Sequence, residues 1–200
     1  MKRYVILLVF LTLTLGIKAQ EPHFITQFGL NLAALNDYDN WGGQDYRAGV
    51  NVGVGMELPV SNSFSIVPGV FYSMQGSDGS DDWDHSFTNL TCKIDYINVP
   101  ILAKYYFYKG LFGIAGPQFG FKVKAKDNDT DISSLVKSFD FSLSSGIGYQ
   151  FPSGLFFTAV GNTCLTKVFK TFYVQGYDDY YGDSYSRYNT VLQLNIGYEF

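Results

Sequence analysis

Apolar residues alternate strictly with polar or small ones in segment after segment of this chain. Across 47–58, two faces separate completely: Ala48, Val50, Val52, Val54, Met56 and Leu58 against Arg47, Gly49, Asn51, Gly53, Gly55 and Glu57. Successive side chains of a strand point to opposite faces, so this pattern predicts a strand with one apolar and one small or polar face. A face of the second kind cannot build a hydrophobic core, but it can line the inside of a membrane barrel.

The same alternation predicts eight strands, at 24–33, 47–58, 64–75, 91–106, 111–124, 139–151, 155–165 and 188–200. Each is long enough for the roughly 9–11 residues that a tilted transmembrane strand needs. Pro68 and Pro100 lack a backbone N–H, so we expect a bulge or a local break near each.

The predicted connections alternate in length along the chain. Short turns fall at 59–63, 107–110 and 152–154, whereas long polar loops fall at 36–45, 76–90, 125–138 and 168–187. Short periplasmic turns and longer external loops are typical of outer-membrane barrels. The sequence therefore predicts an all-β fold, an eight-stranded antiparallel up-and-down transmembrane β-barrel, with both chain ends in the periplasm.

The N-terminus has the features of an export signal. Lys2 and Arg3 precede an apolar run at 4–16, and Ala19 offers a small residue for cleavage. The run is shorter than the roughly 20 residues of a spanning helix, although a retained N-terminal anchor is the alternative. We therefore expect a signal peptide at 1–19 and a barrel domain at 20–200.

Composition narrows the class further. Without the signal peptide, 11 basic residues stand against 18 acidic ones, and the net charge is −7. An acidic chain without a basic cluster argues against nucleic acid as a partner. Aromatic residues reach 18% while charged residues reach only 16%, below the roughly 25% of soluble domains. Abundant aromatics suit the interfacial girdles of a barrel whose partner is outer-membrane lipid.

Six charged residues share the parity of the inward face: Arg47, Glu57, Lys104, Lys122, Asp140 and Glu199. Isolated buried charges are costly, so charges inside a barrel must pair or meet water. We expect a lumen charge network that fills the narrow interior of an eight-stranded barrel. A thin ion or proton path is the alternative.

Residues for catalysis or metal binding are sparse. The two histidines are His23 and His85, and only His85, between Asp84 and Ser86, suggests a Ser-His pair. The run from Asp127 to Asp131 imitates a calcium loop, but Ile132 replaces the required Gly and Ser138 the bidentate Glu. We therefore predict a protein that is not an enzyme, with no catalytic residue, metal site or cofactor, while a looser cation site in the acidic loops stays open.

Cys92 and Cys164 are the only cysteines. Export permits a disulfide, but nothing in the sequence fixes their distance. They are either two small apolar fillers or one incidental bridge.

The predicted loops are acidic and rich in tyrosine. Aspartates cluster at 78–84 and 178–183, and tyrosines occupy 173, 177, 180, 181, 185 and 188. Aromatic side chains dominate binding energetics, so these loops are candidates for contact with an unknown surface partner, although an interfacial girdle explains the tyrosines equally well.

Several segments resemble the PorT-like outer-membrane β-barrel domain family. Segments 64–76 and 95–105 resemble its third and fourth strands, and 115–120 resembles its fifth; the chain also ends on Gly-Tyr-Glu-Phe. The resemblance covers essentially the whole mature chain and implies an eight-stranded barrel of the OmpA/OmpX architecture. It implies no reaction, because one fold serves many functions.

Together these features predict a non-enzymatic integral protein of the outer membrane, structural or surface-binding through four external loops. Phe200 ends an alternating strand, and we expect it to serve as the signal read by the barrel assembly machinery. Two alternatives remain: a soluble lipocalin-like barrel for an apolar ligand, and an outer-membrane lipid-modifying enzyme. The polar, small inward face argues against the first.

Overall fold

The computed structural model describes residues 21–37, 46–78, 91–127, 130–169 and 187–200. Their regular elements are strands: β1 (His23–Asp37), β2 (Arg47–Pro59), β3 (Phe64–Ser77), β4 (Cys92–Tyr108), β5 (Leu111–Asp127), β6 (Thr130–Asp131), β7 (Phe139–Gln150), β8 (Leu155–Cys164) and β9 (Arg187–Glu199). No helix in the described part is long and apolar enough to cross a membrane. The predicted signal peptide lies outside the described residues.

Eight of these strands close into an antiparallel barrel, as the alternation predicts. Each long strand pairs with its neighbours in the chain, and β1 also pairs with β9, from Ile25 opposite Glu199 to Asp37 opposite Arg187. Pairing of β4 with β5 completes the ring. The two-residue strand β6 lies outside the ring and pairs only with the end of β5.

The barrel is apolar on the outside. Phe24, Val54, Ile147 and Leu194 lie on the outer wall with more than half of their surface exposed. The partner positions of the same strands, among them Asn51, are buried in the lumen. The predicted parity is therefore confirmed, and it contradicts a lipocalin-like barrel, whose apolar face would lie inside.

The strands extend further than predicted at the long-connection end. β1 reaches Asp37, β3 reaches Ser77 and β5 reaches Asp127, because pairing with a neighbouring strand continues beyond the apolar alternation. At the other end, the turn between β4 and β5 shortens to Lys109 and Gly110, both with positive φ. Such a two-residue turn follows the right-handed twist of the strands.

The ladder is disturbed near both prolines. Pairing between β2 and β3 lapses opposite Pro68, and pairing between β4 and β5 lapses directly after Pro100, without a change of register. A true register shift occurs instead between Asp95 and Tyr96, where Val123 is the extra residue of a bulge. The bulge corrects one predicted face: Lys124 points outward, not inward with Lys122.

The lumen is not as polar as the sequence pattern suggests. At the short-turn end, Ile25, Phe112 and Phe156 form a buried apolar cluster against Val67, Tyr106 and Ile114. At the opposite end a second cluster fills the barrel mouth: Leu35, Cys92, Ile94, Tyr96, Ala125, Val136 and Val168. Apolar side chains thus fill part of the lumen near both of its ends.

Candidate functional site

A buried ion cluster lies in the lumen near the short turns. Lys104 Nζ is 2.5 Å from Glu57 Oε2 and 3.9 Å from Glu199 Oε2, and the side chains of Lys104 and Glu57 are each only 4% exposed. Gln150 links Lys104 to Glu199, because its Oε1 accepts a hydrogen bond from Lys104 (2.7 Å) and its Nε2 donates one to Glu199 (2.6 Å). β2, β4, β7 and β9 supply these groups, so the cluster joins four strands across the lumen.

Aromatic rings surround the ammonium group of this cluster. Lys104 Nζ lies 4.3 Å from the centre of the Phe112 ring and 4.7 Å from that of Tyr106, whose hydroxyl donates to Gln150 Oε1 (2.6 Å). Cations are attracted to ring faces, more strongly when water is excluded. The rings therefore replace part of the hydration that the ammonium loses on burial.

The cluster reaches the closing seam of the barrel. His23 Nδ1, on β1, is 3.6 Å from Glu199 Oε1, on β9, and the histidine is about half exposed. These strands are the first and last of the ring. His23 therefore lies beside a carboxylate and not beside a serine.

Amides form a hydrogen-bonded relay across the middle of the lumen. Asn51 Nδ2 donates to Asn31 Oδ1 (2.7 Å) and to Asn195 Oδ1 (3.0 Å). Asn31 donates to Ser73 Oγ (3.0 Å), and Asn195 donates to Thr158 Oγ1 (3.0 Å). These groups belong to five adjacent strands of the ring, β3, β2, β1, β9 and β8. A satisfied buried network is rigid, so the relay ties the inner faces of these strands together.

The other three predicted network residues lie away from the ion cluster. Arg47 donates to the Gln75 carbonyl, and Lys122 donates to the Ser133 and Val136 carbonyls (2.8 Å to Val136). Asp140 accepts hydrogen bonds from Thr166 Oγ1 (2.8 Å) and from the Cys164 thiol. Of the six charges, the structure brings together Glu57, Lys104 and Glu199 only.

Both cysteines are buried free thiols. Cys164 bonds to Asp140 and Thr166, whereas Cys92 packs in the apolar cluster at the barrel mouth. The bridge considered from the sequence is therefore not formed.

These groups leave little open space in the lumen. An internal cavity of about 70 Å³ lies between the amide relay and the ion cluster, with Gln27, Asn51, Lys104, Phe112 and Phe156 in its walls. Since one ordered water needs only about 10–15 Å³, the cavity has room for a few waters. It is too small for a lipid or a sugar.

Several predicted features lie outside the described residues, among them His85, Ser86, Asp129 and the aspartates and tyrosines of 170–186. Within the described ranges, no group of three or more His, Cys, Asp or Glu side chains is arranged to hold a metal. Asp131 binds the backbone N–H of Ser133 at 2.8 Å, which lowers the pKa of its carboxyl below the ordinary value.

Sequence parity missed the aromatic members of the ion cluster. Tyr106 shares a face with Lys104, and the cross-strand partners of Phe112 and Phe156 are Gly148 and Gly197. A Cβ on Gly197 would lie 2.1 Å from the Phe156 ring, so each ring needs the glycine opposite it. The sequence does contain a signal for these rings, namely a phenylalanine that faces a glycine on the neighbouring strand. Recognising the signal requires knowing which residues of the two strands are paired.

An apolar outer wall, a filled polar lumen and a closed antiparallel ring define an integral outer-membrane β-barrel protein. The chain matches the outer membrane protein beta-barrel domain family over residues 11–170, and it belongs to that family. No curated protein sequence matches it.

Two solved outer-membrane proteins share the fold. Neisserial surface protein A (NspA) superimposes with a TM-score of 0.55 at 10% identity, over 90% of this chain and 100% of that one. Ail, the attachment invasion locus protein of Yersinia pestis, solved in complex with the heparin analogue sucrose octasulfate, gives 0.50 at 12% identity with the same coverage. At such identities the likeness concerns the fold alone.

Proposed function

We propose that this protein is a non-enzymatic outer-membrane scaffold with a sealed lumen, and that its external connections bind a partner at the cell surface. The observation that carries the proposal is the filled lumen. The buried Glu57–Lys104–Glu199 cluster, the rings of Phe112 and Phe156 and the amide relay occupy the space that a channel or ligand pocket would need.

The composition of the long connections supports a binding role. The stretches 38–45, 79–90, 128–129 and 170–186 contain nine acidic residues and one lysine, and they include both tryptophans of the chain, Trp41 and Trp83. Trp and Tyr are enriched among residues that dominate binding energy. The partner that suits this surface is cationic or offers sugar rings for stacking. Ail was solved with a sulfated sugar, and the acidic connections here argue against that ligand class.

The absence of enzymatic activity is part of the proposal. In the lumen near His23, Lys104 holds the Glu57 carboxylate and Gln150 holds that of Glu199, and His23 itself lies against Glu199. These groups are engaged in closing the barrel, which leaves no free general base there. Within its family, we further propose that the chain belongs to the PorT-like branch, on the segments 64–76, 95–105 and 115–120.

Loop trimming tests the scaffold proposal. In one variant the stretches 38–45, 79–90 and 170–186 are each replaced by a two-residue Asn-Gly turn, which suits a hairpin. Both proteins are reconstituted in nanodiscs, exposed to a glycan array and to cationic surface proteins, and compared. We expect binding by the full chain, no binding by the trimmed chain, and heat-modifiable gel migration by both.

Two results would contradict the proposal. Equal binding by the full and trimmed chains would place the binding surface elsewhere. A changed outer-membrane lipid profile in cells that carry His85→Ala would indicate a lipid-modifying enzyme instead.

A further inference from the structure

Three lysines form a patch on the outer wall of the barrel, although the mature chain as a whole is acidic. Lys93 lies on β4, and Lys124 and Lys126 lie on β5; Lys93 and Lys124 are exposed, and Lys126 is half-buried. We call Lys93, Lys124 and Lys126 the lysine patch. The bulge at Val123 creates it, because the bulge turns Lys124 from the lumen side to the outside.

The lysine patch contains an unfavourable pair. Lys93 and Lys126 are direct cross-strand partners on β4 and β5. Directly opposed side chains have their Cβ atoms about 4.5–5.5 Å apart, and like charges in this position are destabilising. Asp131, the partner of Lys126 on its other side, offsets part of that cost, and an anion bound between the two lysines would offset more of it.

The carboxylates nearby have their own hydrogen bonds. Asp95, opposite Lys124, accepts from the Tyr72 hydroxyl at 2.7 Å. Asp131, opposite Lys126, accepts from the Ser133 N–H at 2.8 Å. Among the described residues, none of the three lysines forms a salt bridge with either aspartate. Both carboxylates still offset part of the charge of the lysines, and three ammonium groups against two carboxylates leave one excess positive charge on the outer face.

The height of the patch corresponds to the external edge of the membrane. Tyr105 is exposed on the outer face of β4 near the short turns, and Asp95 lies on the same face toward the other end of the strand. At about 3.3 Å per residue and a strand tilt of about 40°, Tyr105 and Asp95 are about 25 Å apart along the barrel axis. This distance equals the height of the apolar band of such barrels. The lysines therefore lie at the level of the lipid head groups of the outer leaflet.

The wall below the patch suits acyl chains. Phe121 and Val123 are about half exposed, and Phe121 packs edge-on against Phe139 with ring centres 5.7 Å apart. Phe119 continues this aromatic surface to Phe141. An apolar wall with cations directly above it is complementary to a lipid that carries phosphate groups.

We propose that Lys93, Lys124 and Lys126 bind the phosphate groups of a phosphorylated lipid of the outer leaflet, whose acyl chains lie against Phe121 and Phe139. The ammonium groups act as point charges for phosphate, and each basic residue near an anionic membrane surface adds to the attraction. This site lies on the outer wall and is independent of the external connections.

Native mass spectrometry of the folded mature chain in detergent tests the proposal. The probes are lipid A with both phosphates and the same lipid A after phosphate removal. We expect the triple variant Lys93→Gln, Lys124→Gln, Lys126→Gln to bind the phosphorylated probe at least about tenfold more weakly than the native chain. The native chain should bind the dephosphorylated probe more weakly than the phosphorylated one, by a similar factor.

Matched variants make the result specific. Lys109→Gln removes an exposed lysine at the opposite end of the barrel and should leave binding unchanged. The triple arginine variant keeps the charge, so it should fold and bind even if the glutamine variant folds poorly. Unchanged binding by the glutamine variant, equal binding of both probes, or full competition by millimolar inorganic phosphate would overturn the assignment to a lipid.

Discussion

Lys104 shows how a buried charge is accommodated inside this barrel. Its ammonium group contacts Glu57, Gln150 and the rings of Tyr106 and Phe112, all within the lumen. A second carboxylate, Glu199, lies 3.9 Å away. Two carboxylates thus share one cation, and removal of that cation leaves negative charges close together inside the barrel.

Lys104→Met should destabilise the barrel strongly. Loss of one partner of a buried ion pair costs about 3–5 kcal/mol, because the remaining charge is uncompensated. The midpoint of urea unfolding, followed by circular dichroism in detergent, measures the loss.

Lys109→Met is the matched control, since Lys109 is exposed in a short turn. A surface substitution of this kind changes stability by only about 0.5 kcal/mol. If both methionine variants unfold at the same urea concentration, the ion cluster does not stabilise the barrel.

Gly148 tests the space that the lumen aromatics require. A Cβ there would lie 2.4 Å from Phe112 Cζ and 2.7 Å from the Phe157 carbonyl oxygen, so Gly148→Val should cost about 1–3 kcal/mol through overpacking. Gly161 points to the outside, where the nearest atom to a new Cβ is 3.8 Å away. Gly161→Val should therefore leave the thermal midpoint of heat-modifiable migration unchanged. If Gly148→Val and Gly161→Val lower this midpoint equally, the lumen is not tightly packed.

At the scale of the element, alternation predicts strands well and their ends poorly. The faces of β2, β7 and β9 follow from the period of two alone. The bulge at Val123 does not, because β5 keeps alternating apolar and polar residues through it, and only pairing with β4 reveals the extra residue. For the same reason β1 extends to Asp37: backbone pairing with β9 continues where the apolar pattern has ended.

Phe200, the residue directly after β9, is the predicted assembly signal. Phe200 is 69% exposed on the outer wall, packs edge-on against Tyr198 and donates its N–H to the Phe24 carbonyl at 2.9 Å. Its ring is therefore not needed in the lumen. Removal of Phe200 should lower the amount of folded barrel in the outer membrane several-fold while refolding in detergent stays unchanged.

Fractionation of cells and gel migration without boiling measure the two quantities separately. Phe157→Ala is the control, because Phe157 is another outer-wall aromatic ring close to the short turns. Equal membrane levels for the native chain and the shortened chain would show that the terminal aromatic is not the assembly signal.

At the scale of the whole molecule, the sequence predicts the barrel because the bilayer imposes one rule on every strand: apolar residues outside, at a period of two. The lumen obeys no such rule. Parity correctly places Arg47, Lys122 and Asp140 inside, but their partners are carbonyls, a hydroxyl and a thiol from other parts of the chain. Which inward groups meet depends on the stagger of all eight strands, which no single segment encodes.

A lumen closed by side chains predicts a silent protein in planar bilayers. The native chain should insert without conductance steps, because Phe112 and Phe156 pack beside the ion cluster and leave only a cavity of about 70 Å³ between that cluster and the amide relay. Phe112→Ala combined with Phe156→Ala removes both rings beside charged and hydrogen-bonding groups, so water should enter this end of the lumen, with a loss of stability of about 3–5 kcal/mol per ring. This variant should still show no conductance steps, because the apolar cluster at the opposite mouth stays in place. Phe121→Ala combined with Phe157→Ala removes two rings of the outer wall and should also stay silent. Conductance steps from the native chain would mean that the plug opens, and the function would then belong to the lumen after all.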